Sequence, residues 1–314
     1  MANTRLTTNC TAVRCRLIPG HVGAVILGLI FFSAAANAEQ GEQRWPAMWK
    51  VSDDDSQIYL FGTFHALPAS MQWQSDYFLS VMENTRTTYF EADTSSSEAV
   101  VALQLGMQEH GLNAPGVTLS ALLGEERAKA FASVAEEVAG IPMAQLEPMR
   151  PWLAMVTVSM ATFHKLGLNP ASGADMLIEQ QARREGDEIA YLESGMSQIR
   201  AMASLDEQGD FAMIDETVEQ MNNFEEEVQT MLNAWAEGDE DLLYEKIIDG
   251  LKDVSQLAYE ALFVNRNANW VRQIESMMEA DGDYLIAVGA GHLVGDESVV
   301  DMLQAKGFTV GRVQ

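Results

Sequence analysis

The chain has 314 residues, 47% of them hydrophobic and 8% aromatic, which is enough to bury one sizeable core and excludes a largely disordered chain. Its 46 acidic residues against 19 basic ones give a net charge of −27. That charge repels nucleic acid, whose binding relies on Lys and Arg neutralising phosphates, and it reads as a solubility device.

Residues 1–38 have a composition of their own. They hold Arg5, Arg14 and Arg16, no acidic residue, an apolar run from Val22 to Phe32, and then Ala36-Asn37-Ala38. This is the order of a secretory signal peptide, and it predicts a periplasmic or secreted protein after cleavage near Ala38. The apolar run is shorter than the roughly 20 residues a membrane-spanning helix needs, so no membrane span is expected in the mature chain. The competing reading is an uncleaved anchor. Both cysteines, Cys10 and Cys15, fall in the leader. The mature chain is therefore expected to have no disulfide, no Cys nucleophile and no Cys metal ligand.

Met48–Val51 and residues 57–62 read as two strands around the turn Asp53-Asp54-Asp55-Ser56, a hairpin. Asp76–Asn84 reads as a helix, and Thr87–Phe90 as a second buried strand ending in Glu91-Ala92-Asp93. From Ile58 to Asp93 the length suits one strand–helix–strand unit. Ser96 to Ala182 is mostly helical, with longer helices over Gly124–Ala139 and Pro151–Leu166, the second opened by proline. A further helix from Gly173 reaches Arg184, where Gly186-Asp187 stops it. Glu188–Leu192 is a third buried strand, again ending on a carboxylate, Glu193.

Residues 206–250 are acidic and helical. Met221, Phe224, Val228, Met231 and Leu232 recur there at helical spacing and read as packing. Tyr259–Met278 is an amphipathic helix, Tyr284–Val288 a fourth buried strand ended by Gly289, Glu297–Ala305 a helix and Phe308–Val313 a last strand. The fold class is α/β: a central sheet with flanking helices and a large helical insertion between two Gly-x-x-His halves. Residues 39–314 are expected to form a single domain, with the insertion over about 96–185 and 206–280.

The histidines carry the chemical signal. His65 ends Gly62-Thr63-Phe64-His65, and His292 ends Gly289-Ala290-Gly291-His292. Both follow buried strands at the same offset from a glycine. The carboxyl ends of strands are where open α/β sheets place ligands, and glycine lets the chain turn sharply there. Two imidazoles plus a carboxylate suit zinc, manganese, cobalt or iron. Glu91 is the candidate third ligand or the base, and Glu193 a second candidate for either task. Arg266 and Asn267 are candidates to polarise a carbonyl or steady an oxyanion. Structural readings stand beside these: strand-end carboxylates also cap helices, and Arg266 would equally make a helix-face ion pair. His110 and His164 lie in helical stretches and read as structural. No His-Glu-x-x-His, phosphate loop, dinucleotide fingerprint or Gly-x-Ser-x-Gly elbow is present.

On these residues the chain resembles the GumN/TraB family of exported bacterial proteins. The resemblance rests on Tyr59-Leu60-Phe61-Gly62-Thr63-Phe64-His65-Ala66-Leu67-Pro68, on Glu91-Ala92-Asp93, on Gly173-Ala174-Asp175 through Glu193, and on Arg266-Asn267 with Trp270. Its most specific element is Ala287 through Gly295. That family is similar in turn to the Tiki metalloproteases, whose paired Gly-x-x-His motifs and glutamate match His65, His292 and Glu91. The resemblance implies an α/β core with paired histidines and a divalent metal such as manganese or cobalt; zinc is the further candidate. The preferred expectation is an exported metal-dependent hydrolase acting on a peptide or protein, with Glu91, Glu193, Arg266 and Asn267 in its machinery. The alternatives are a non-catalytic binder of a peptide, metal or haem, and an accessory to envelope polysaccharide assembly.

Overall fold

The computed structural model describes residues 44–53, 56–280 and 282–314. The expected leader lies outside them. Among the described residues there are eight strands: β1 (Met48–Ser52), β2 (Gln57–Thr63), β3 (Leu67–Pro68), β4 (Thr87–Ala92), β5 (Leu168–Asn169), β6 (Glu188–Glu193), β7 (Asp283–Gly289) and β8 (Thr309–Arg312). Six of them form one sheet in the order β6-β4-β7-β2-β1-β8, and the short β3 and β5 pair separately. Strands β6, β4, β7 and β2 are mutually parallel, with β6 at the sheet edge; β1 runs antiparallel to both β2 and β8. The fold is therefore the expected α/β class, with helices around a central sheet.

The central strands β7 and β2 are the most deeply buried. Leu285, Ile286, Ala287 and Val288 of β7 are all buried, as are Ile58, Leu60 and Phe61 of β2. Side chains hidden on both faces are the mark of parallel strands covered by helices. The helix Asp76–Asn84 covers one face with Phe78, Val81 and Met82, and Ser75 caps it by accepting from the Phe78 N–H. Phe61, Trp73 and Phe78 stack there with centroids 4.6–5.5 Å apart. Burying each such ring or aliphatic side chain is worth about 1.5–3 kcal/mol. The β1–β2 hairpin is closed by Ser56 N–H donating to the Asp53 carboxylate at 2.8 Å, a side-chain turn that Asp and Ser favour.

The helical stretches lie between β4 and β6 and between β6 and β7. They hold a second core of their own around Phe131, Leu146, Val158 and Ile214. Three boundaries differ from the expected ones for local reasons. The helix expected over 124–139 starts at Glu125, after Gly124 at φ 78°, and ends in a wider turn over Ala135–Ala139. The helix expected over 297–305 starts at Val299, because Ser298 caps it. A helix over Gly195–Glu207, capped by Ser194, fills a segment for which no element was expected. Among the described residues no helix is long and apolar enough to cross a membrane.

Candidate active site

The parallel register brings the strand ends to one edge. Thr63 of β2 lies beside Gly289 of β7, Phe90 of β4 beside Ala287, and Ala92 beside Glu193 of β6. The two Gly-x-x-His turns therefore leave the sheet side by side. Gly62 helps this packing: a Cβ there would stand 3.0 Å from the Ala290 Cα, tighter than most such contacts, so the turns would have to part by a few tenths of an ångström. The Gly62 carbonyl is not orphaned, since the buried Trp235 indole donates to it at 2.8 Å. Gly289 is the floor of the site. A Cβ there would lie 3.1 Å from Glu91 Oε1 and 3.6 Å from both His65 Nε2 and His292 Cδ2.

Six expected site residues, His65, Glu91, Glu193, Arg266, Asn267 and His292, meet at this edge. Glu91 Oε1 accepts from the Gly289 N–H at 2.7 Å. Its Oε2 accepts from Arg266 Nη2 at 2.6 Å and from Gln198 Nε2 at 3.0 Å. Arg266 also donates to Glu193 Oε1 through Nε at 2.9 Å and Nη2 at 2.5 Å. Its Nη1 stands 3.0 Å from His292 Nε2. The guanidinium thus sits between two carboxylates and an imidazole, over the Trp270 ring at 4.8 Å.

His292 is buried and doubly held. Its Nδ1 is 2.6 Å from Asn267 Oδ1, and its ring lies between Phe263 and Trp270 at 4.7 and 4.4 Å. Phe263, Arg266, Asn267 and Trp270 are spaced i, i+3, i+4, i+7, so one helical face supplies the whole cradle. His65 is open to solvent, with 67% of its side chain exposed, and its Nδ1 faces Asp175 Oδ1 at 3.4 Å. Asp175 opens the helix Ala174–Glu185, which docks on the His65 turn through Ala174 N–H donating to the Phe64 carbonyl at 2.9 Å.

The electrostatics follow from this packing. Burial works against the Glu91 carboxylate, but protonated His292, Arg266, His65 and the Gly289 N–H together hold its pKa down to about 2. Burial pushes His292 down to about 3, with Glu91 pulling the other way and Arg266 and His65 adding to the fall. At neutral pH the pair is therefore an ionised carboxylate beside a neutral imidazole, and Arg266 is the standing counter-charge. The atoms crowding the His65 ring disfavour its charge, yet Asp175 and then Glu91 outweigh them and raise it to about 9.

Asn267 was read as a possible oxyanion partner, but both ends of its amide are engaged, Oδ1 with His292 and Nδ2 with the Glu297 carbonyl at 2.8 Å, and the residue is only 2% exposed. Its second Nδ2 hydrogen is buried with the residue, and Asn267 does not line the cavity beside His65. Glu91 was open as ligand or base, and Arg266 and the Gly289 N–H hold its carboxylate ionised, the form that either task needs. Asp93 is a cap, its Oδ1 accepting from the Ser95 and Ser96 N–H groups. His110 and His164 lie in the helical insertion, away from these strand ends. The reading of residue types missed Gln198 and Asp175. Asp175 stood in the quoted Gly173-Ala174-Asp175 run, while Gln198 lies on the unexpected helix and bridges Glu91 and Glu193, the latter at 3.1 Å.

Thr63, His65, Glu91, Asp175, Glu179 and Gln198 help line a cavity of about 310 Å³. Thr63 Oγ1 is buried without a hydrogen-bond partner, which suits a polar occupant. Among the described residues no three His, Cys, Asp or Glu side chains form a ready metal-ligand group. The donor types nevertheless fit a divalent cation. Both histidines direct Nδ1 to a side-chain oxygen, the outer-shell arrangement of metal-bound imidazoles, with Glu91 beside them.

The sequence profile of the TraB/PrgY/gumN family matches residues 47–312. The chain belongs to the TraB/PrgY/gumN family. Relatives within reach of this family member are the "Uncharacterized protein YbaP" of Escherichia coli (strain K12) and that of Shigella flexneri. Each is 24% identical over 261 residues, covering 83% of this chain and 92% of the relative. A "Metalloprotease TIKI homolog" of Amphimedon queenslandica is 34% identical over 65 residues, 20% of this chain and 13% of that protein. No solved structure matches this TraB/PrgY/gumN chain.

Proposed function

We propose that this family member is an exported metal-dependent hydrolase acting on a peptide or protein. The observation that carries the reading is the meeting of His65, Glu91 and His292 at the carboxyl edge of the parallel strands, with both Nδ1 atoms directed to outer oxygens. The partial likeness to a protein named a TIKI metalloprotease homolog supports it. Export rests on the composition of residues 1–38.

In this reading His65, Glu91 and His292 hold a divalent cation, manganese, cobalt or zinc. When bound, such an ion supplies a Lewis acid that acidifies water near neutral pH. Glu91 stays ionised, so it is available as a ligand or as a base. Arg266 is the cation of the site that could steady a developing oxyanion, and Glu91 and Glu193 fix its guanidinium. The open cavity beside His65 is the place for the substrate.

The test is elemental analysis of the purified mature protein, then digestion of a peptide library with and without manganese. Metal-dependent cleavage that His292→Ala abolishes is the expected result. Cleavage and metal content both unchanged in His292→Ala would overturn it. One observation favours a binding protein instead: Arg266 already satisfies both carboxylates and faces His292, as in a static site. Saturable peptide association without product would establish that second reading.

A further inference from the structure

The buried His292 ring has two nitrogens with different neighbours, and each neighbour dictates a proton position. At Nε2 the neighbour is Arg266 Nη1, 3.0 Å away. A guanidinium only donates, so Nε2 must accept and carries no proton. At Nδ1 the neighbour is the Asn267 side chain, 2.6 Å away. Which end of an amide faces a ring is settled by the partner of its other end. Here the other end lies 2.8 Å from the Glu297 carbonyl, which only accepts. That end is therefore the NH₂ group, and the oxygen faces His292. Nδ1 must then donate. Two independent chains of logic give the same tautomer.

The Glu297 carbonyl is itself held in an unusual way. Glu297 has φ 58°, the one positive φ at a non-glycine residue among the described residues. Its N–H donates to Asp301 Oδ2 at 3.1 Å, and the single O–H of Tyr259 is shared between the Asp296 carbonyl at 3.2 Å and Glu297 Oε2 at 3.0 Å. A left-handed backbone at glutamate persists only where its surroundings over-determine it. What this bend achieves is to aim one carbonyl at the amide of Asn267.

We propose that Asn267 is a positioning residue: Glu297, bent into the left-handed region, orients the Asn267 amide, and Asn267 Oδ1 fixes the proton of His292 on Nδ1, leaving the Nε2 lone pair facing Glu91 and Arg266. The assignment rests on geometry; its meaning for catalysis rests on the hydrolase reading, in which that lone pair is the ligand donor. It also accounts for the adjacency of Arg266 and Asn267, since neighbouring helix positions grip the two edges of one ring.

The experiment is a long-range ¹H–¹⁵N correlation spectrum of the histidine rings in the uniformly labelled mature protein, with His292 assigned by its loss in His292→Gln. The wild-type ring is expected to show a protonated Nδ1 and a bare Nε2. Asn267→Asp, which keeps an acceptor oxygen, retains that pattern. Asn267→Leu removes the acceptor, and Arg266 Nη1 is free to turn to the Leu262 carbonyl it already contacts at 2.9 Å. The two ring-nitrogen signals then draw together as the tautomers exchange. Glu297→Gly suits a positive φ and leaves the spectrum unchanged, whereas Glu297→Pro cannot adopt it and gives the leucine pattern.

A wild-type ring protonated on Nε2 overturns the proposal without recourse to any variant. So does a leucine variant with the wild-type spectrum, or equal loss of the pattern in the aspartate and leucine variants, since packing disturbance alone would then suffice. A protein with the assigned tautomer and no hydrolytic activity refutes the hydrolase and leaves this assignment standing. An active enzyme with the opposite tautomer does the reverse.

Discussion

Gly173→Ala is a small change that should dismantle one side of the site. Gly173 has φ −56° and ψ 146°, a conformation alanine adopts freely, so backbone strain contributes nothing. The cost is space. A Cβ at this position falls deep inside the contact distance of the His65 carbonyl oxygen, 2.7 Å from its carbonyl carbon and 2.9 Å from Asp175 Oδ1. Carbon contacts settle near 3.5–4.0 Å, so the helix Ala174–Glu185 and the His65 turn must part by about 1 Å.

Both obstructing groups at His65 are backbone, and neither can rotate away. Parting them stretches the Ala174 N–H to Phe64 carbonyl bond from 2.9 Å beyond hydrogen-bond range and moves Asp175 away from His65. Overpacking costs about 1–3 kcal/mol and a lost hydrogen bond about 0.5–1.5 kcal/mol, so we expect a loss of roughly 2–4 kcal/mol. Urea denaturation of the mature protein measures it, and His65 should then titrate nearer the ordinary imidazole value. A variant within 0.5 kcal/mol of wild type, with an unchanged His65 titration, would refute the steric argument.

Two further outcomes follow. Glu91 titrates at about 2 in the folded chain against an ordinary 4.5. A depressed carboxylate contributes stability that is full above pH 4.5 and is lost as pH falls towards 2; the span corresponds to about 3 kcal/mol. Glu91→Gln should flatten the stability profile across that window, and an unchanged acid limb would contradict the assignment. Trp235→Phe removes the donor to the buried Gly62 carbonyl and part of a buried ring, so unfolding should become easier by about 2–4 kcal/mol. A loss under 1 kcal/mol would mean that another donor reaches that carbonyl.

The strands were legible in the sequence because parallel inner strands are apolar on both faces, and runs such as Tyr284–Val288 have few other readings. The matched Gly62–His65 and Gly289–His292 spacing marked the site, because a glycine turn at a strand end is written in adjacent residues. Strand order was not legible: β7 comes next to last among the strands yet lies between β2 and β4, a choice made by long-range packing. Gln198 was hidden for a similar reason. Its helix carries Ile199, Met202 and Leu205 at helical spacing, but the acidic run that follows masks where the element begins. Asn267 was visible as a polar residue beside Arg266. Its role depends on the Glu297 bend, which has no glycine to announce it.

The place of β7 has a consequence for biogenesis. The middle of the sheet is contributed by nearly the last strand to be synthesised, so a growing chain has β2 and β4 with an unfilled gap between them. Exposed inner edges invite pairing with other chains, and closing so long a loop is slow. A chain short of Gly289 also lacks the floor of the site and the second histidine. Any activity that depends on both motifs is therefore withheld until synthesis is almost complete. That activity first arises only after the final parallel strand has slotted home.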